Sequence, residues 1–256
     1  MRTARLYYEQ VQLWGQRGTS PLELRRVRDT ISMVPEDVIS ILDVGCGDGS
    51  VANMLRERKY EVIGLDLSLE ALRHVEVTAT RGSCESLPFD TGSFDLVLAA
   101  ELLEHLTEGV YLAALTELQR VSREYILISV PFDEFLPRRY VKCQRCGTIF
   151  HAYHHLRSFS LEKIQDLFGG FQLKQVCYSG DMVKPDNRVL LAIRQSLGDR
   201  WFSYQKARPW CPMCGNTEFP RAGTSTLARA CMVLNRLLPK RKKPHWVIAL
   251  FEAEVE

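Results

Sequence analysis

Apolar runs and amphipathic segments alternate through the first half of this chain. Short apolar stretches bounded by turn residues predict five strands. The first begins at Ile41, and the others span 60–66, 75–80, 93–100 and 125–131. Residues with helical spacing follow them and predict helices over 51–58, 69–74 (with Ser68 as N-cap) and 110–121. Residues 5–34 predict one or two further amphipathic helices, with a break at 15–21. Strands that alternate with helices indicate an α/β domain built on a parallel sheet.

The turn after the first predicted strand is rich in glycine. The strand ends at Asp43 and Val44, and glycines follow at positions 45, 47 and 49. Glycine allows positive φ and lets a ligand approach the main chain closely. A dinucleotide site has the spacing G-x-G-x-x-G and places pyrophosphate at the helix N-terminus. Here the spacing is G-x-G-x-G, and a carboxylate at Asp43 would repel pyrophosphate but suit an ammonium group. S-adenosylmethionine (SAM) carries an ammonium group and no phosphate, so the turn favours SAM over NAD.

A second acidic residue supports a nucleoside ligand. Asp66 ends the second predicted strand and lies 21 residues after Gly45. A carboxylate in that position can accept hydrogen bonds from both ribose hydroxyls of an adenosine. Taken alone, Asp66 could instead be a helix N-cap.

With these motifs the chain resembles the class I SAM-dependent methyltransferases, in particular the subgroup similar to the ubiquinone and menaquinone biosynthesis enzymes. The resemblance covers residues 38–131, with weaker similarity at 155–172 and at the C-terminal end. It implies a Rossmann-like, doubly wound sheet of seven strands, mostly parallel with the last strand antiparallel. It also implies that the glycine turn holds the methionine part of SAM and that Asp66 binds the ribose.

The resemblance also indicates where the rest of the cofactor would lie. The family usually has an acidic residue in the place of Ser83, where it receives the adenine amino group, and a serine hydroxyl can still accept that bond. The cofactor-binding residues expected are Asp43, Gly45, Cys46, Gly47, Asp66, Leu67, Ser83, Cys84, Glu85 and Glu101.

Candidate catalytic and lid residues flank this site. His105 follows the fourth strand, where histidine is frequent in the family, and could act as a general base or contact the substrate. It could equally cap or orient the local helix. An N-terminal helix often closes over the cofactor in this family, so Tyr8 and Trp14 could line a lid over residues 1–37 or could simply pack.

Two cysteine motifs interrupt the family pattern. Cys143 and Cys146 form one Cys-x2-Cys motif and Cys211 and Cys214 form another, each followed by glycine. Four thiolates from two such knuckles can bind zinc tetrahedrally. A redox motif is the alternative, but it usually precedes a helix, and one copy would suffice. The other four cysteines lack such pairing and are expected to be core or loop thiols.

The long gap between the two motifs suggests how the chain is divided. We predict a helix from 161 to 168, a sixth strand at 171–178 and a last strand at 246–252, as the family resemblance implies. The expected division is a lid at 1–37, a SAM-binding core at 38–131, a zinc lobe from 132–157 and 180–244, and completion of the sheet by 158–179 and 245–256. Both parts of the lobe would leave the same end of the sheet.

Charge is divided unevenly between the two halves of the chain. Residues 1–131 carry 13 Lys and Arg against 20 Asp and Glu, whereas residues 132–256 carry 20 against 11. The basic half indicates an anionic substrate, or simply a solvated surface. His155 and Arg157 are candidate substrate contacts, although His151, His154 and His155 could also be alternative metal ligands. The basic loop 239–244 could hold phosphate or a nucleic-acid backbone.

The sequence therefore predicts a methyltransferase that acts on an anionic small molecule or a glycan or natural-product precursor, with His105, His155 and Arg157 as catalytic candidates. RNA modification by the zinc lobe and the basic loop is one alternative, and a non-catalytic SAM-binding scaffold is another. The chain has no run of about 18 apolar residues and no apolar signal segment at its start, so a cytoplasmic protein is expected.

Overall fold

The computed structural model describes residues 8, 9, 14, 20–202, 209–219, 224–239 and 241–254. In chain order its helices are α1 (Pro21–Ile31), α2 (Ala52–Glu57), α3 (Leu69–Leu72), α4 (Glu108–Val121), α5 (Leu161–Gln165), α6 (Arg188–Ser196) and α7 (Thr226–Leu237). Its strands are β1 (Ser40–Val44), β2 (Glu61–Asp66), β3 (Thr78–Arg81), β4 (Phe94–Ala100), β5 (Ser122–Pro131), β6 (Tyr140–Lys142), β7 (Ile149–His151), β8 (Phe171–Ser179) and β9 (Trp246–Ala253).

The chain is divided into two compact units. The first comprises Met1–Asp133, Phe159–Asp181 and Pro244–Glu256, and the second comprises Glu134–Ser158 and Met182–Lys243. Among the described residues, no helix is both long enough and apolar enough to cross a membrane.

The first unit is built on a seven-stranded sheet with the order β3-β2-β1-β4-β5-β9-β8. Strands β1 to β5 run parallel to one another, and β9 pairs antiparallel with both β5 and β8. This arrangement confirms the predicted sheet, including its antiparallel last strand. A sheet covered by helices on both faces explains why its central strands are apolar along their whole length.

Successive residues of these strands face opposite sides of the sheet, and each side has its own core. On one side Leu42, Val97 and Ile126 pack with α4 and α5, and on the other side Ile41 and Leu96 pack with α1 and α2. Helix α1 begins with a conventional N-cap, in which the Ser20 hydroxyl accepts a hydrogen bond from the Glu23 amide.

Several predicted boundaries differ from the structure. Strand β3 begins at Thr78 rather than at 75, because the Glu76 amide donates to Asn53 and the Glu76 carbonyl accepts from Arg56, so this segment bonds to α2 and not to β2. Helix α5 ends at Gln165 rather than at 168, where the chain tightens and the Leu167 amide bonds to the Ile164 carbonyl. Helix α3 likewise ends at Leu72, two residues early.

The second unit contains a short hairpin of β6 and β7 and a pair of helices, α6 and α7. Both helices have polar N-caps: the Asn187 side chain accepts from two amides of α6, and the Ser225 hydroxyl accepts from the Ala228 amide of α7. The chain leaves the first unit after β5 and after β8. It returns at Phe159, before α5, and at Pro244, before β9. At the second return the Phe132 amide bonds to the His245 carbonyl. The last residues of β5 and β8 each pair with the first residue of β9, so these three strand ends lie at the same end of the sheet.

Candidate functional sites

The turn between β1 and α2 requires glycine. Gly45, Gly47 and Gly49 have φ values of 73°, 56° and 80°, in the left-handed region. The Gly45 amide donates to the Leu65 carbonyl at 2.7 Å, which fixes the turn against the end of β2. A Cβ at Gly47 would lie 3.0 Å from the Trp14 ring. Glycine is therefore needed for backbone conformation throughout and for space at Gly47.

Backbone donors orient the carboxylate of Asp66 at the end of β2. Its Oδ2 accepts from the Gly47 amide at 2.9 Å, and its Oδ1 accepts from the Ser68 amide at 2.8 Å. The N-cap of α3 is Ser68, whose hydroxyl accepts from the Ala71 amide, so Asp66 is not the helix cap. A carboxylate accepts about four hydrogen bonds, which suits a ligand with two adjacent hydroxyls.

Asp43 is a buried carboxyl near the carboxyl end of β1, and it is only 2% exposed. The Ala52 amide donates to it. Its Oδ2 has no hydrogen-bond partner among the described residues. Burial raises the pKa of Asp43 to about 7, the charge of Asp66 adds to the rise, and the positive charge of Arg26 opposes it. A cation near Oδ2 would therefore favour the ionised form.

Glu101 and Arg26 present further buried polar atoms at this end of the sheet. Glu101 follows β4 with φ of 54°, an unusual conformation for a residue with a side chain. Its Oε2 accepts from Trp246 Nε1 at 3.0 Å, and the Arg26 guanidinium lies 5.7 Å from the centre of the Trp246 ring. Within the described chain, Glu101 Oε1 and the Nε and Nη1 atoms of Arg26 are buried without a hydrogen-bond partner. Carboxylate and guanidinium groups thus both have unmet hydrogen-bonding capacity here.

The remaining predicted cofactor residues lie in the loops after β2 and β3. Leu67 is largely exposed directly after β2. Residues 83–86 form a turn in which the Ser86 amide donates to the Ser83 carbonyl at 3.2 Å. Burial, and then the charge of Glu85, raise the pKa of Cys84 to about 12.

Cys46, in the glycine turn, is also a poor nucleophile. Burial, followed by the charges of the neighbouring aspartates, raises the pKa of its thiol well above the ordinary value. At neutral pH both Cys46 and Cys84 are therefore neutral thiols, and neither is suited to covalent catalysis.

Two aromatic residues near the N-terminus contact the glycine turn and its surroundings. The Tyr8 carbonyl accepts from Trp14 Nε1 at 2.6 Å and from the Ser68 hydroxyl at 2.7 Å. Trp14 is buried, and its ring is the neighbour of Gly47 described above. The Tyr8 ring lies edge-on to His105, with 5.9 Å between the ring centres. These contacts are compatible with both the lid hypothesis and simple packing.

His105 ends a short 3-10 turn, Leu103–His105, beyond β4. Its Nε2 lies 3.9 Å from Oε1 of Glu104, which is fully buried. His105 belongs to the first unit, whereas the other two catalytic candidates, His155 and Arg157, belong to the second and are half-buried there.

The two Cys-x2-Cys motifs converge in the second unit. The sulfur atoms of all four cysteines lie within 4.8 Å of one another. The distance from Cys143 Sγ to Cys214 Sγ is 3.6 Å, and that from Cys146 Sγ to Cys211 Sγ is 3.5 Å. These separations are much longer than a disulfide bond of about 2.05 Å. They are close to the roughly 3.8 Å between sulfurs that tetrahedral zinc with bonds of about 2.3 Å would impose.

The two knuckles have the same backbone geometry. The Gly147 amide donates to the Cys143 carbonyl at 2.8 Å, and the Gly215 amide donates to the Cys211 carbonyl at 2.9 Å. Both glycines have positive φ, 75° and 69°. The glycine after each second cysteine thus allows the chain to turn around the sulfur cluster, which contains no histidine.

Glu134 joins two histidines in a second polar cluster of this unit. Its Oε2 lies 2.5 Å from His155 Nδ1, and its Oε1 lies 3.4 Å from His151 Nε2. Burial opposes ionisation of Glu134, but hydrogen bonds to both histidines hold its pKa below the usual range. The Tyr153 and His155 amides donate to His151 Nδ1, so the proton of a neutral His151 ring lies on Nε2, facing Glu134. His151 is therefore suited to a structural role rather than to metal binding.

Sequence reasoning missed three of these residues. Glu134 has no motif of its own, although the His-x3-His spacing of 151 and 155 could have indicated a paired acid. Arg26 and Trp246 lie far from the glycine turn in sequence, and only the fold brings them to the end of the sheet.

The sequence is similar to a known domain family and to several known proteins. A methyltransferase domain family matches residues 41–124. The malonyl-acyl-carrier-protein O-methyltransferase of Erwinia pyrifoliae is 30% identical over 207 residues, which cover 77% of this chain and 72% of that enzyme. A ubiquinone biosynthesis O-methyltransferase of Albidiferax ferrireducens is 30% identical over 100 residues, 35% of this chain and 38% of that enzyme. The chain spans about half, 53%, of an uncharacterized protein of Methanocaldococcus jannaschii.

Solved structures show the same fold at low sequence identity. A chain from a complex of the Haloferax volcanii Trm112 methyltransferase activator superposes with a TM-score of 0.58 at 15% identity. The similarity covers 98% of this chain and 96% of that chain.

Proposed function

Because the chain belongs to the class I SAM-dependent methyltransferases, we propose that it transfers a methyl group from SAM bound at the carboxyl ends of β1, β2 and β4. The observation that carries this proposal is the link from the glycine turn to Asp66, through the hydrogen bond from the Gly47 amide. One carboxylate beside the turn and one bonded to it match the ammonium and the ribose hydroxyls of SAM.

The buried charged atoms support the same ligand. The methionine part of SAM carries an ammonium and a carboxylate group. Asp43 Oδ2 and Glu101 Oε1 could accept from the ammonium, and Arg26 could donate to the carboxylate. Such a ligand would satisfy polar atoms that are costly to leave buried without partners. Ser83, Cys84, Glu85 and Leu67 would line the adenine end.

The protein has little chemistry to perform, because the sulfonium of SAM already activates the methyl group. Positioning the acceptor in line with the methyl group supplies most of the catalysis. Where the acceptor must lose a proton, we assign that role to His105, with orientation of the local chain as the alternative. Tyr8 and Trp14 would close over the bound methionine part.

Isothermal titration calorimetry with SAM tests the cofactor site, on one variant at Asp66 and one control variant at Glu61. Asp66→Ala removes an acceptor of charged hydrogen bonds, so SAM affinity should fall by roughly 1.5–3 kcal/mol, or about 10- to 150-fold. Glu61→Gln changes an exposed carboxylate at the other end of the same strand and should leave affinity unchanged. Equal SAM affinity in Asp66→Ala and the parent protein would refute the assignment.

The acceptor that we propose is anionic. The basic second half of the chain favours it, and so does similarity to an enzyme named for malonyl-acyl-carrier protein. Arg157 can bind a carboxylate or phosphate with a forked pair of hydrogen bonds, which lysine cannot reproduce. His155, held by Glu134, is the neighbouring candidate contact.

A screen of metabolites with labelled SAM would identify the acceptor. Arg157→Lys should then raise the KM for the acceptor, or lower turnover, while SAM affinity stays intact. A neutral acceptor, or kinetics unchanged in Arg157→Lys, would contradict the proposal. SAM binding without any turnover would instead favour a non-catalytic scaffold.

Methylation of RNA or protein is the second candidate function. The structural similarity to a chain of the Trm112 complex, together with the basic segment 239–244, favours it. Labelled SAM incubated with total RNA and with protein extract, each treated in parallel with nuclease or protease, separates these acceptors from small molecules.

We also propose that Cys143, Cys146, Cys211 and Cys214 hold one structural zinc ion. The convergence of the four sulfurs supports this assignment. Metal analysis of protein purified without added zinc should give one equivalent per chain. Cys211→Ser should lower that content, whereas Cys177→Ser, at a half-buried thiol of β8, should leave it unchanged. Absence of zinc from the parent protein would refute the assignment.

A further inference from the structure

Helix α7 has one face packed inside the second unit. Ala228 and Cys231 are buried, and Asn235 bonds to the Asn187 amide and to Asp186 beside α6. These positions follow the i, i+3, i+7 spacing of a single helix face. They account for the attachment of α7 to its unit.

A second face of α7 is also apolar, but it is exposed. Leu227, Val233, Leu234 and Leu237 are 42%, 55%, 51% and 75% exposed. At 100° per residue, these four side chains and Ala230 fall within an arc of about 120°, whose centre lies about 130° around the helix from the centre of the buried face. All five are aliphatic. We call this set the aliphatic arc.

Positive charge borders the aliphatic arc. Arg229 and Arg236 lie along one side of it on the helical wheel. Residues 219–251 contain seven Lys and Arg and no Asp or Glu. Within the second unit, Lys184 Nζ donates to the Arg236 carbonyl at 3.0 Å, and Lys243 forms a β-bridge with Val183, the residue before Lys184. Lys184 and Lys243 therefore lie near the C-terminal end of α7.

We propose that the aliphatic arc and its basic border dock on an anionic lipid surface. A helix with an exposed apolar face and flanking Lys and Arg inserts its apolar side chains at the level of the lipid headgroups and attracts anionic lipids. Both features of α7 are then used. The proposal is independent of methyl transfer.

Other occupants fit the observations less well. A second copy of the chain would bring two basic borders together, and like charges would repel. Single-stranded nucleic acid would use the positive charge, but its bases stack on aromatic side chains, and α7 has none. An acidic protein partner would match the charge, but a surface made for it would leave the chain without binding to protein-free lipid vesicles, which is the first contradicting result of the test below.

Vesicle flotation with the full chain tests the proposal. Vesicles of phosphatidylcholine with about 30% phosphatidylglycerol are compared with pure phosphatidylcholine, at about 0.1 M and about 0.5 M salt. Three variants accompany the parent: Leu234→Ser/Leu237→Ser, Arg229→Gln/Arg236→Gln, and the control Leu112→Ser, which changes an equally exposed leucine of α4 in the first unit. Calorimetry with SAM and thermal unfolding confirm that each variant is folded.

The parent and Leu112→Ser should bind only the anionic vesicles and should bind more weakly at high salt. Each double variant should bind the anionic vesicles at least about tenfold more weakly than the parent does. Three results would overturn the proposal: no vesicle binding by the folded parent, equal binding of neutral and anionic vesicles, or full binding by Leu234→Ser/Leu237→Ser. The last result would mean attraction by charge without insertion. A dimer that the same variant abolishes, in a parent that ignores vesicles, would assign the arc to a second copy.

Discussion

Replacing Asp43 with Asn should stabilise the ligand-free protein while it weakens SAM binding. The two side chains are nearly equal in size, and Asn keeps an oxygen that can accept from the Ala52 amide. The charge is lost, and an amide NH2 group takes the place of the oxygen that has no partner. In the parent protein that charge is buried, and one carboxylate oxygen has no partner within the described residues, so ionisation is costly until a cation binds.

The magnitude follows from the pKa. Burial raises the pKa of Asp43 from 3.8 to about 7, so the native state holds the proton more tightly than the unfolded chain does. Stability must therefore fall as pH rises between about 4 and 7, and the loss is complete above pH 7. At about 1.4 kcal/mol per pKa unit, the raised pKa lowers the free energy of unfolding, relative to its value in acid, by about 1.7 kcal/mol at pH 5 and by about 4 kcal/mol at pH 8. The stability gained in Asp43→Asn should thus grow by roughly 2.5 kcal/mol between these pH values.

Urea unfolding without SAM, at pH 5 and pH 8, measures this difference. Asp95→Asn is the matched control, because Asp95 is the second residue of the neighbouring strand β4 and accepts hydrogen bonds from the Ser40 and Ile39 amides, which lower its pKa. Its stabilising effect is present above its ordinary pKa, so Asp95→Asn should be less stable than the parent at both pH values. An Asp43→Asn protein no more stable than the parent at pH 8, or one with unchanged SAM affinity, would refute the reasoning.

Two other predictions concern the glycine turn and the metal. Gly47→Ala should lower both stability and SAM affinity by about 1–3 kcal/mol, because Gly47 has positive φ and a Cβ would meet Trp14 at 3.0 Å. Gly92→Ala is its control, since Gly92 also has positive φ but no atom within 4 Å of the added Cβ, and calorimetry and unfolding should show that it keeps SAM affinity. Removal of zinc by a chelator should accelerate amide hydrogen exchange in residues 134–158 and 209–219 while SAM affinity persists. Protection that is unchanged after metal loss, or a parallel loss of SAM binding, would contradict it.

The sheet was predictable because its central strands are apolar along their length. Strands β1, β4 and β5 are buried on both faces, so their sequence signal is strong, and the adjoining glycine turn gives the order of the first elements. Strand β3 lies at the edge and is partly exposed, which leaves a weak pattern. Its start was placed three residues too early because the contacts of Glu76 with α2 have no local signature.

The candidate sites were predictable where one local segment carries the chemistry. Asp43, the glycine turn and the two cysteine motifs are such segments. Arg26, Glu134 and Trp246 act with residues distant in sequence, so no local pattern reveals them. Helices α6 and α7 were not predicted either, although Asn187 and Ser225 are ordinary N-cap residues.

The most direct test of the cofactor site is calorimetric titration of the parent protein with SAM and, separately, with NAD, at pH 6, 7 and 8. One SAM should bind per chain. Below pH 7 its affinity should fall, by at most about tenfold per pH unit, because binding favours ionised Asp43. NAD should not bind, since the carboxylate beside the glycine turn repels a pyrophosphate. Binding of NAD without binding of SAM would contradict the assignment of this turn to SAM.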